Sequence, residues 1–472
     1  MANPNPNPNP NPVKVVEVCR VAPQPASASM SLPLTFFDLL WLRFEPFQRL
    51  FFYEASNTAL FFKSILPRLK TSLSLTLHHF SPLAGNLTWP EDSPKPILSY
   101  VKGNTVSLTI AEYYSNDDDA GRDHFHRLSS SDFLEAKEYY SLVPQLDVSD
   151  DRATALALQI TLFPNRGFSI GTAMHHAVLD GNSLTLFFKL WAHICRHHEQ
   201  LATSSSLLAD DLKPCYTDRL VIEDPLGLEA IYSKQWLDMG EPNNRSLKVW
   251  EIKSPPGSIR ATFEFTKAKI QTLGQHVKTV MNSDSLHLSA FALTCAYTWV
   301  CLVKAEETKC EKVFIYLSAD YRSRLDPPIS ANYFGNCTGG CAAVAETKGL
   351  LGEDGFVVAL KAISEAIMGL KNEGVLLDGA ESWLSKLCTV QGSDRIFSTA
   401  GSPRFGIYET DFGWGRPKRT EVLTIDKTGS ISFSDSKNGG GGVEVGLVLE
   451  EHLMGVFASL FAKGLIHTPL IN

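Results

Sequence analysis

The sequence has no uninterrupted apolar run approaching the ~18 residues that a membrane-spanning helix needs. It also lacks an excess of positive charge: 43 Lys and Arg against 51 Asp and Glu leave a net charge of −8. Nucleic-acid affinity rests on clustered cations, and without a strongly basic stretch a nucleic-acid partner is not expected. Cysteine is present but poorly arranged for metal: of nine residues, only Cys337 and Cys341 stand close together. No second pair or nearby histidine completes a ligand set, so no metal site is expected. The thiols read as free and buried, as in a reducing compartment. The N-terminus is equally poor in apolar residues, with five Asn-Pro repeats running to Pro12. A secretory leader needs an apolar segment, and proline removes backbone donors, so residues 1–12 read as a solvated extended tail. The expected compartment is the cytosol.

What remains is an ordinary globular composition, 44% hydrophobic and 20% charged over 472 residues. That length favours two domains, and a crevice between domains suits a large substrate. Strand-like alternation begins at Val13. A helical stripe of Leu69, Leu73 and Leu77 marks residues 67–80. Asp117, Asp118 and Asp119 read as a solvated loop. Two strands are expected over 154–163 and 168–174, around a Pro164-Asn165-Arg166-Gly167 turn. A helix carrying Leu184, Phe187, Phe188, Trp191 and Cys195 follows, with Asn182 or Ser183 as its cap. The polar stretch with Ser204, Ser205, Ser206, Asp210 and Asp211 suggests a connection between domains. The reading is an α/β protein with domains over 13–200 and 229–472, linked by 201–228. In the second half a strand over 260–265 and helices from Lys267, over 288–304 and over 450–463 are expected. The four glycines Gly439 to Gly442 read as a turn between strands rather than a phosphate cradle.

Two motifs compete for the chemistry. His176 is the only one of 13 histidines with an aspartate four residues on, Asp180, and it stands where a strand ends and a helix is about to begin. A neutral imidazole at such a junction can take a proton from a hydroxyl near neutral pH. On local residues alone, a general base and a satisfied structural histidine are equally good readings. Gly167-Phe168-Ser169-Ile170-Gly171 matches the G-x-S-x-G of serine hydrolases. That chemistry needs the serine at a strand-to-helix turn, whereas Ser169 enters a strand. His175, His176 and Asp180 offer too few ligands for a metal. Asn336 is a candidate to donate into a pocket or to stabilise a turn.

His176-Ala177-Val178-Leu179-Asp180-Gly181 and Asp411-Phe412-Gly413-Trp414-Gly415 together resemble the two signatures of the BAHD acyltransferases. The resemblance extends to Leu34-Thr35-Phe36-Phe37-Asp38, Phe80-Ser81-Pro82-Leu83-Ala84-Gly85, and Asp218-Arg219 through Asp224-Pro225. Tyr333-Phe334-Gly335-Asn336-Cys337 is similar to the branch that acylates phenolic and flavonoid glycosides, malonyltransferases prominent among them. The resemblance implies a two-domain chloramphenicol-acetyltransferase-like fold, with mixed sheets, helices and a channel between the domains. It implies an acyl-CoA co-substrate, malonyl-CoA in the first place with a hydroxycinnamoyl donor as the alternative, and no bound cofactor. His176 would be the base, with Trp414 or Asn336 as oxyanion donors. Asp180, Gly181, Asp411, Gly413 and Gly415 would be structural, and Arg322 or Arg324 would pair with Asp180. Lys267, Ser289 and Arg416 are the candidate CoA contacts. A self-contained channel suits a monomer.

Overall fold

In the computed structural model, residues 12–114, 123–130, 132–197, 210–215, 219–281, 286–371, 376–388 and 395–465 are described. The Asn-Pro repeats before Pro12, Asp117 to Asp119, Ser204 to Ser206 and Asp218 lie outside them.

Three sheets carry the molecule. The first is six-stranded, in the order Val13–Val21, Val106–Tyr113, Leu156–Phe163, Gly167–Met174, Phe47–Glu54 and Arg419–Val422. The second is seven-stranded: Thr338–Glu346, Lys312–Asp320, Arg395–Gly401, Ile431–Asp435, Val443–Glu450, Ser258–Phe265 and Phe133–Glu135. A smaller four-stranded sheet joins Met30–Pro33, Ile97–Tyr100, Asn86–Thr88 and Ala153–Thr154. Leu156–Phe163 and Gly167–Met174 are buried at every position, which explains their near-continuous apolar character.

Each half lends the other a strand. Arg419–Val422 pairs with Phe47–Glu54 in the first sheet, and Phe133–Glu135 pairs with Ser258–Phe265 in the second. The cores also ignore chain order: Tyr232, Trp236, Tyr321, Phe334 and Phe412 pack with the first sheet's core. A buried ion cluster ties the lobes where they meet. Arg260 of the second sheet bonds Glu421 at 2.7 Å and also pairs with Asp426, while Arg419 holds the other oxygen of Glu421 at 2.5 Å.

The expected helices form with small shifts. Leu66–His79 buries Leu69, Leu73 and Leu77, and is entered through one π-helical turn, Phe61–Ile65. Lys267–Met281, Ala290–Ala305 and Glu451–Lys463 complete the second lobe. Gly439, Gly440 and Gly441 all have positive φ, between 65° and 84°, and turn the chain from Ile431–Asp435 into Val443–Glu450. Of the cysteines, Cys195, Cys295, Cys301 and Cys337 are buried, Cys215 is exposed and the others are half-buried; all nine are unpaired.

Candidate active site

The strand Gly167–Met174 ends two residues before His176, and the helix Gly181–Arg196 starts five after it. The intervening turn is closed by a hydrogen bond from Val178 N–H to the His175 carbonyl at 2.9 Å. Asp180, rather than Asn182 or Ser183, caps the helix: its Oδ1 accepts from Ser183 N–H at 3.0 Å. A carboxylate serves as well as an amide or hydroxyl at that position, and it also complements the helix dipole.

Asp180 points away from the imidazole. Its two oxygens receive Arg322 Nη1 at 2.8 Å and Nη2 at 3.1 Å, and Oδ2 also accepts from Cys337 N–H and Thr338 Oγ1. Burial pushes the Asp180 carboxyl up, but the Arg322 charge and these hydrogen bonds outweigh it and hold it below its usual range. Arg322 goes on to bond Ser183 Oγ and the carbonyls of Tyr333 and Gly335. Arg324, the other candidate, bonds the Asp320 carbonyl instead.

A second buried pair grips the same segment. Asp38 pairs with Arg219, and its Oδ1 accepts from both the backbone N–H and the side-chain amide of Asn336, at 2.9 and 3.0 Å. The same Asn336 amide donates to the His176 carbonyl at 2.9 Å. Asn336 thus spends its donor on holding the loop and has none to offer an oxyanion.

The His176 ring is half-buried in a crevice of aromatic side chains. It stacks on Trp41, with ring centroids 4.2 Å apart and planes at 15°, and meets the Phe47 ring edge-on at 6.1 Å. Trp41, Phe44 and Phe47 are themselves only half-buried, so they line the opening. Nδ1 of His176 is enclosed without a partner, whereas Nε2 is not enclosed. The small open edge does not offset the packed walls: burial drives the imidazole down to about 4, opposed by its own backbone carbonyl and by Asp180. His175, wholly buried, is driven down to about 3. The indole N–H of Trp41 is also buried and unpartnered. Two other crevices, about 630 and 550 Å³ in volume, open elsewhere and His176 lines neither.

The remaining candidates lie apart. Trp414 meets Phe168 edge-on at 6.4 Å, under the Arg68 guanidinium, at the opposite end of the strand from His176. An oxyanion at His176 is therefore out of its reach, a consequence of strand length that the motif does not reveal. Asp411 is spent on its own loop. Its Oδ1 accepts from Gly413 and Gly415 N–H at 2.7 and 3.0 Å, and Oδ2 pairs with Arg196. Both glycines have φ near +105°, which a side chain would strain. Gly181 opens the helix beside Phe405. Lys267 and Arg416 flank the glycine turn, Lys267 beside Gly441 and Arg416 beside Gly439. Ser289 is elsewhere, capping Ala290–Ala305 through Ala292 N–H at 3.1 Å. Ser169 sits in mid-strand between Thr161 and Phe52, fully buried and without a hydrogen-bond partner. It has neither the sharp turn nor the base that a nucleophilic serine requires.

The geometry sets a neutral imidazole at an aromatic crevice, where it could take a proton from a hydroxyl, and the sequence match gives the class, an acyltransferase. The sequence matches the Transferase family over residues 11–463, and the chain belongs to that family of acyltransferases. It is 40% identical to phenolic glucoside malonyltransferase 1 of Arabidopsis thaliana, over 95% of this chain and 97% of that one. It is 39% identical to the malonyl-CoA:anthocyanidin 5-O-glucoside-6''-O-malonyltransferase of the same plant, with the same coverage of both chains. An agmatine coumaroyltransferase of that plant is 37% identical over 95% and 98%. The fold is that of vinorine synthase, with a TM-score of 0.62 at 20% identity over 94% of this chain and 96% of that one.

Proposed function

We propose that the protein transfers a malonyl group from malonyl-CoA to a sugar hydroxyl of a phenolic or flavonoid glucoside. The observation that carries this reading is the neutral His176 imidazole, anchored by its carbonyl and stacked on Trp41 at the mouth of an aromatic crevice. The malonyltransferases among the relatives supply the substrate class.

His176 Nε2 takes the proton of the sugar hydroxyl as its oxygen attacks the thioester carbonyl. Holding both substrates in one crevice supplies much of the acceleration, since the thioester is already activated. The tetrahedral oxyanion needs a donor beside the base, and neither Asn336, whose amide is engaged, nor Trp414, at the far end of the strand, supplies one. Collapse breaks the carbon–sulfur bond, and the imidazolium returns its proton to the thiolate. The products are the ester and free CoA; no covalent enzyme intermediate and no cofactor are needed. Lys267 and Arg416, converging on the glycine turn, would meet the CoA phosphates, with Ser289 the less favourable candidate.

The coumaroyl-transferring relative favours a second reading, an aromatic donor. Acceptor-dependent CoA release from malonyl-CoA and coumaroyl-CoA separates the two: faster release from coumaroyl-CoA would overturn the malonyl assignment. The site is built within one chain, which supports a monomer, and nine unpaired thiols support a reducing compartment, the cytosol. The division into functional domains near 13–200 and 229–472 is also proposed, with the strand exchange superimposed on it.

A further inference from the structure

Six arginines are buried among the described residues, and five have committed partners. Arg219 pairs with Asp38, Arg260 with Glu421 and Asp426, Arg322 with Asp180, and Arg419 with Glu421. Arg43 donates to the carbonyls of Ser246 and Asn244. The sixth, Arg49, is 3% exposed, and among the described residues no carboxylate lies within ion-pair distance of its guanidinium and no acceptor takes a hydrogen bond from it. The carboxylates that influence it from further off are spent elsewhere. Asp435 accepts from Ile407 and Tyr408 N–H, and Glu421 is held by Arg260 and Arg419. Burial drives Arg49 down to about 10, which still leaves it charged at neutral pH.

An unpaired buried charge is costly, and such costs persist where a ligand meets them. Arg49 stands on the strand Phe47–Glu54, two residues beyond Phe47 and so on the same face. The Phe47 ring is 5.9 Å from the Arg49 guanidinium and 6.1 Å from the His176 ring, which places Arg49 within about 12 Å of the base. Opposite Arg49 across the strand pair is Thr172, whose buried hydroxyl is also without a partner. Of its nitrogens only Nε is wholly enclosed, so the little of the guanidinium that is exposed lies at the Nη tips.

We propose that Arg49, with Thr172, binds the free carboxylate of a short dicarboxylic acyl-CoA, and so selects the donor. The distances suit it. A hydroxyl bonded to His176 attacks a carbon about 3–3.5 Å away. One methylene beyond that carbon is a carboxylate, which a charge-assisted hydrogen bond of about 2.8 Å joins to the guanidinium. A longer or aromatic acyl group would instead bring apolar surface against a buried cation. The inference rests on the acyl-transfer reading above.

The test is kcat/KM for malonyl-CoA and acetyl-CoA with one glucoside acceptor, for wild type, Arg49→Met and Arg49→Lys. Wild type is expected to prefer malonyl-CoA; Arg49→Met is expected to lower the malonyl-to-acetyl ratio by about 100-fold or more. Arg49→Lys, which keeps the charge, is expected to retain most of the preference. Equal use of both donors by wild type overturns the inference whether or not Arg49→Met folds. So does an Arg49→Met enzyme whose two activities fall together with the ratio unchanged. Wild type that releases no CoA from either donor would instead sink the acyl-transfer reading itself.

Discussion

Asp180 caps the helix that follows His176 and, with both carboxylate oxygens, clamps Arg322, two residues past the second-sheet strand Lys312–Asp320. The turn that carries His176 is therefore fixed to both lobes by one side chain that points away from the imidazole. Asp38 repeats the arrangement through Asn336 and Arg219.

Because Asp180 and Arg322 are both nearly buried, breaking the pair from one side leaves a stranded charge or donor. Asp180→Asn and Arg322→Met should each cost about 3–5 kcal/mol. The double variant should be less destabilised than the sum of the two, by about 1–3 kcal/mol. Urea unfolding of the four proteins measures this, and strict additivity would refute the clamp.

The Trp41 indole lays its face against the His176 ring and shields it. Trp41→Phe keeps a stacking surface, so kcat should change by less than about tenfold. Trp41→Ala opens the ring to water, and the apparent pKa of the acid limb should rise toward the ordinary histidine value. An acid limb that stays at the wild-type position in Trp41→Ala, read from the pH profile of kcat/KM, would contradict the shielding.

Much of this site could be read from the sequence, and the reason is local. The strand's end, the helix start and the turn of glycines each depend on residues within a few positions. Distance in sequence is what hides the rest. Nothing near Asn336 announces that its amide is taken by Asp38 and the His176 carbonyl, some 298 and 160 residues away. Trp41 and Phe47 read as ordinary apolar positions until the fold lays them against the imidazole. The Asp411-to-Gly415 signature suggested catalysis by Trp414, but the motif is a self-contained loop and says nothing of which strand end it caps. The exchanged strands Phe133–Glu135 and Arg419–Val422 are short, with no period to mark their partners.

Two imidazoles, the buried His175 and the half-buried His176, set a pH dependence. Unfolded histidines take up protons near 6.5, whereas folded His175 and His176 do so only near about 3 and 4. The unfolded state thus binds more protons in between, and stability present above pH 6.5 is lost as the pH falls. The slope should approach ~1.4 kcal/mol per pH unit for each histidine. Chemical unfolding between pH 7.5 and 5 checks it, and His175→Gln should lower the slope by about 1.4 kcal/mol per pH unit. In the same window kcat/KM should stay nearly level, since the base remains neutral; a fall centred at 6.5 would contradict the burial of His176.

The most direct measurement is acceptor-dependent CoA release from malonyl-CoA with a phenolic glucoside, for wild type and His176→Ala. Loss of the single base should cut kcat several hundredfold, within the range for general-base removal, with the fold intact by circular dichroism. Release that survives the substitution would take His176 out of the chemistry and the account with it.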